Sequence, residues 1–97
     1  MVRIIWSPNA ISDLESICEF IAMDSEYYAR SFAKNVIRAI ENLTLFPISG
    51  RVVPEYNLHH IREIIFQNYR IVYRIKLDVV EIAAITHGAR LMDDLQC

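Results

Sequence analysis

Glycine is scarce in this chain: Gly50 and Gly88 are the only two among 97 residues, and only three prolines accompany them. No stretch is composed like a linker, so residues 1–97 are expected to form one domain. Cysteine is limited to Cys18 and Cys97. Two such positions give neither a disulfide framework nor a metal-ligand spacing. No apolar run approaches the ~18 residues of a membrane helix, and the opening MVRIIWSPNA lacks the basic-then-apolar order of a signal peptide. A cytoplasmic protein without a membrane partner is expected. No GxGxxG, P-loop, HExxH or GxSxG pattern occurs, which removes support for nucleotide, zinc-protease and serine-hydrolase chemistry. No cofactor is expected.

What the chain does have is apolar mass, 54% of residues, enough for a real core. Its formal net charge of −2 is unevenly spread. Residues 51–76 carry five basic residues against Glu55 and Glu63, with His59 and His60 in addition, whereas both flanks are acidic. A mildly acidic whole argues against tight, sequence-indifferent binding of nucleic acid, which draws on many contacts to phosphate. A small basic site, if there is one, belongs in 51–76.

The patterning is that of an α+β domain ordered β-α-α-β-β-β. Val2–Trp6 reads as a strand. Ser7-Pro8 then starts a helix, with Ser7 as N-cap and Pro8 in the first turn, where its missing N–H costs nothing. Ile11, Leu14, Ile17, Cys18 and Ile21 form its apolar stripe, and it should end near Met23. Asp24 or Ser25 caps a second helix in which Tyr28, Ala29, Phe32, Ala33, Val36, Ile40 and Leu43 keep the helical period almost to Pro47. Phe46–His60 is a long connection holding Pro47, Pro54 and Gly50. Ile61–Phe66, Tyr69–Ile75 and Val79–Thr86 follow as strands joined by hairpin-length turns. A short turn or helix over Ala89–Leu95 ends the chain. The expected architecture is an antiparallel sheet with the helical hairpin packed on one face.

Alternation divides the strands between two faces. Tyr69, Ile71, Tyr73 and Ile75 suit the core beneath the helices; Arg70, Val72, Arg74 and Lys76 point away. In the last strand Val80, Ile82 and Ala84 read as core, with Glu81, Ala83, Ile85 and His87 on the far side. The strand at Ile61 is open to two readings, Arg62 with Ile64 and Phe66 on one face, or Glu63 with Ile61 and Ile65. The plain reading of the far face is a solvated surface on which Arg74 or Arg70 pairs with Glu81. The alternative is a binding surface for an anionic or amphipathic partner, formed by Arg62, Arg74, Val72 and Ile85. Arginine suits that role because its planar fork grips a carboxylate or phosphate in two bonds.

The segments FPISGRVVPE, IREIIFQNYRIVYRI and VEIAAITHGAR resemble the ParE/RelE superfamily of toxins from type II toxin–antitoxin modules. The resemblance covers nearly the whole chain, and "FP.SGR" with "HGAR" is closest to the ParE-like branch, often called plasmid stabilisation proteins. It implies a growth-inhibiting toxin neutralised by a cognate antitoxin, with a homodimer or a toxin–antitoxin heterotetramer as its assemblies. ParE members inhibit DNA gyrase, the function the resemblance favours here. RelE members cut messenger RNA on the ribosome, the alternative; a toxin-fold binding module without toxicity is the third.

The site residues that the resemblance implies are Arg70, in the "YR.VY" strand, and Arg90, just after the last strand; both would hold phosphate. His87 is near a C-terminal catalytic histidine of some ribonuclease relatives, with Glu55 or Glu63 to supply an acid. The chain departs from RelE in having Ile61 and Glu63 where RelE places lysines, and no tyrosine in LMDDLQC.

Overall fold

The computed structural model describes residues 1–89. Its elements are β1 (Arg3–Trp6), α1 (Pro8–Ala22), α2 (Glu26–Glu41), a 3₁₀ turn (Asn42–Thr44), β2 (Arg51–Val52), β3 (Ile61–Phe66), β4 (Tyr69–Ile75) and β5 (Val79–His87). The expected closing element at Ala89–Leu95 and Cys97 fall almost wholly outside the described residues. Among the described residues no helix is long and apolar enough to cross a membrane.

Both helices begin as their caps dictate. The Ser7 hydroxyl accepts from the Ala10 amide with Pro8 in the first turn, and the Ser25 hydroxyl accepts from the Tyr28 amide. Each cap satisfies one of the donors that a helix start leaves without an internal partner. The hairpin lays Ala10, Phe32, Val36, Ile40 and Leu43 on Ile71, Tyr73, Val80, Ile82 and Ile85. Full burial of each large side chain contributes about 1.5–3 kcal/mol. Two residues expected in the helical stripes, Ile11 and Tyr28, instead face outward. The core takes Ala10 and Ala29 in their neighbourhood.

The sheet order is β1-β5-β4-β3-β2. Pairing is antiparallel from β2 to β5, while β1 lies parallel to β5, with Ile4 beside Val80 and Trp6 beside Ile82. The α+β architecture with one helical layer is as expected; the parallel edge and the two-residue β2 make the sheet mixed and five-stranded. A hairpin helix pair between β1 and the rest supplies the long crossover that parallel strands require.

One irregularity changes what faces what. Tyr73 pairs with Ile82 but Val72 pairs with Ala84, so Ala83 is an extra residue in β5. Such a bulge reverses the alternation beyond it. Its backbone groups are taken up from α1: the Ser7 hydroxyl donates to the Ala83 carbonyl (3.0 Å), and the Asp13 carboxylate accepts from the Ile85 amide (2.9 Å). Ile85 therefore lies on the helix side, opposite Ile71, and His87 opposite Tyr69; Ala84 and Thr86 turn to the far side. The far-face placement of Ile85 and His87 by simple alternation is corrected by that one inserted residue.

The two glycines mark close approaches. A Cβ on Gly50 would stand 2.6 Å from both the Glu63 carbonyl oxygen and the Tyr73 hydroxyl. At Gly88 it would stand 3.1 Å from the Asn68 carbonyl, which the Gly88 amide meets at 2.6 Å. The glycines of "SGR" and "HGAR" thus let the chain press against the sheet and against the β3–β4 turn.

Candidate functional site: a buried charge cluster on the far face

The far face is not a wet surface. The β2–β3 connection folds back over it, burying Val53, Ile61 and Val72 together with part of Tyr56. The preceding loop, between the 3₁₀ turn and β2, is pinned from the other side of the sheet. Tyr73, fully buried, donates its hydroxyl to the Pro47 carbonyl (2.8 Å) and accepts from the Gly50 amide (2.9 Å). Arg62 ties the two loops together, donating to the carbonyls of Ile48 and Gly50 before β2 and of His59 after it. The open choice at β3 is resolved by register: Arg62, Ile64 and Phe66 are on the helix side with Tyr73, Ile71 and Tyr69, and Ile61, Glu63 and Ile65 on the far side.

Under that cover stand the buried charges of Glu63 and Arg70, with Glu55 and Arg51 at its rim. Glu63 is opposite Arg51 of β2 in the ladder and diagonal to Arg70, whose own partner is Ile65. Diagonal neighbours on one face are within reach of long side chains. The Arg70 Nε donates to Glu63 at 2.5 Å, and the Arg51 Nε to the other Glu63 oxygen at 2.6 Å. From the connection, Glu55 presents both carboxylate oxygens to the two terminal nitrogens of Arg70, at 2.6 and 2.7 Å. This is the two-bond geometry that a guanidinium fork favours.

The cluster holds two cations and two anions and is neutral as a set. Its interior members are deeply buried, with side-chain exposure of 5% for Arg70 and 0% for Glu63. A charge so placed is tolerated only when paired. The Arg70 guanidinium is pushed above its ordinary value, first by its bonds to Glu55; burial opposes, and Glu63 adds to the rise. It stays charged at any pH the folded chain meets.

The other sequence candidates are scattered. Arg74 pairs with Glu81 (3.2 Å), which Lys76 also approaches (3.3 Å), so the cross-strand pair proposed from alternation forms at Arg74. Val72 and Ile85 are fully interior rather than parts of an exposed binding surface, Val72 beneath the β2–β3 connection and Ile85 beneath the helices. His87 is exposed, its ring edge-on to Tyr69 at 5.8 Å, on the face opposite Arg70. Arg90 lies outside the described residues. The site thus unites Arg70 with Glu63 and Glu55, and separates them from His87.

Arg51, Thr86 and Tyr73 were not singled out by the sequence. Thr86 stands opposite Arg70 in the ladder, and its hydroxyl oxygen is buried without a hydrogen-bond partner among the described residues. One signal for the cluster was present: Glu63 is a lone acid between Ile61 and Ile65 on the same strand face, a position that demands a buried cation.

With this geometry in hand the relatives can be placed. A family model described as "ParE toxin of type II toxin-antitoxin system, parDE" matches residues 4–92. A curated relative, Toxin RelE2 of Caulobacter vibrioides, is 29% identical over 92 residues, spanning 94% of this chain and 100% of that protein. Among solved structures, the "Chromosomal ParDE TA system from P. aeruginosa" superposes with a TM-score of 0.74 at 17% identity, covering 90% of this chain and 96% of that one. At that identity the likeness speaks for the fold. The helical hairpin, the sheet and a family match over almost the whole chain agree: this chain belongs to the ParE toxin family of type II toxin–antitoxin systems.

Proposed function

We propose that this toxin inhibits growth by a protein–protein contact with DNA gyrase, without cutting RNA. The observation that carries the reading is the state of Arg70. Cleavage of RNA by 2′-OH attack needs a base, an acid and a cation converging on one phosphate. Here the fork of Arg70 is engaged by Glu55 and Glu63, and His87 is on the opposite face of the sheet. Among the described residues no such trio converges. An exposed apolar group at the tip of the hairpin, Phe20, Met23, Tyr27 and Tyr28, supports a mode of action through protein surfaces.

Purified toxin is expected to block supercoiling by gyrase, or to trap gyrase-cleaved DNA, and to leave translated messages intact. Discrete cuts in ribosome-bound message, lost in His87→Ala, would replace this reading with the ribonuclease one.

A further inference from the structure

The four members of the charge cluster are not held alike. Arg51, Glu63 and Arg70 come from neighbouring strands of one sheet, whose ladder fixes them. Glu55 comes from the connection between β2 and β3, in a stretch with no strand or helix of its own. Its side chain is 25% exposed, five times the 5% of Arg70. Solvent reaches the cluster at Glu55 as it does at Arg51, 59% exposed, and of the two only Glu55 is held by a loop rather than by the ladder.

The strand-borne trio without Glu55 has two cations and one anion. Arg51 is 59% exposed, but Arg70 is buried, and a buried guanidinium stripped of two of its bonds is costly, so its fork cannot simply be left open. It can, however, exchange one carboxylate for another of the same geometry.

We propose that Glu55 is an internal stand-in at a carboxylate-binding site, and that an acidic side chain of the antitoxin displaces it from the fork of Arg70 when the two proteins assemble. The partner is the one that membership of the family provides, and the inference does not depend on whether gyrase or message is the target. The incoming carboxylate takes both terminal nitrogens of Arg70 in place of Glu55. Glu55 moves into solvent, so the buried charge stays balanced throughout.

An internal competitor lowers apparent affinity by the fraction of time it holds the site. Removing Glu55 should therefore tighten binding, the opposite of what loss of a merely structural ion pair does. Affinity for the cognate antitoxin, measured by titration calorimetry on full-length chains, is expected to rise about tenfold in Glu55→Ala and less in Glu55→Gln. Arg70→Lys should weaken it, and Glu41→Gln, on the exposed face of α2, should leave it unchanged. Acetate, at ionic strength held constant with chloride, should compete with the antitoxin for the Glu55→Ala chain.

Unchanged or weaker binding in the Glu55 variants overturns the proposal. If Glu55→Ala does not fold, Glu55→Gln decides it by the same criterion. Competition by phosphate but not by acetate overturns the carboxylate assignment in favour of a nucleic-acid ligand.

Discussion

Tyr73 shows how much one side chain can organise. Its ring fills the core between sheet and helices, and its hydroxyl bridges Pro47 and Gly50 on either side of the "PISG" turn. The spacing between "FP.SGR" and "YRIVY" is thereby given a physical meaning: the loop motif is built around the tip of a strand residue. Burial pushes the Tyr73 phenol up from its ordinary 10.0, while its bond from Gly50 and the charge of Arg62 pull the other way. A phenol with a raised folded value contributes stability that is whole below its unfolded value and lost as pH climbs through the folded one. Tyr73→Phe should cost about 1–3 kcal/mol at neutral pH, since it leaves the buried Gly50 amide without its acceptor. Urea denaturation across pH should show the wild type losing that margin above about pH 10, so that the two curves converge there.

At the scale of elements, β5 carries the lesson. The helices were legible because their stripes persist over four turns, and the faces of β4 were legible because nothing interrupts its alternation. β5 reads as cleanly, VVEIAAIT, yet Ala83 is a bulge and the faces exchange after it. No residue type announces this, since two adjacent alanines fit either side. The cause is remote: Ser7, the N-cap of α1, and Asp13, in its second turn, bind the carbonyl and amide that the bulge frees. The same remoteness hid the charge cluster, which depends on the connection folding over the sheet, a matter of tertiary packing that period-two patterning does not record. Asp13→Ala should therefore cost about 1–3 kcal/mol, although Asp13 reads as a surface residue of a helix. Faster hydrogen exchange at the Ile85 amide, well above the change at Ile71, would locate that loss at the bulge.

For the molecule as a whole, the family sets the expectation that matters in a cell. Induced without its antitoxin, this chain should arrest growth, and co-expression of the antitoxin should restore it; colony counts after induction measure both. Healthy growth at high soluble levels would identify a toxin fold that has lost its action. The parallel edge of the sheet adds a temporal side to this. β1 precedes the other described elements, but its only strand neighbour among the described residues is β5, which begins 76 positions after it at Val79. While the ribosome is still delivering the sequence between them, the opening strand has nowhere to pair, and long-range pairing of this kind is slow to form. A chain cut short anywhere before Val79 can make the helical hairpin but not the closed sheet. The described sheet is thus incomplete until β5 has been made, and whatever surface the fold presents to a partner waits for that strand.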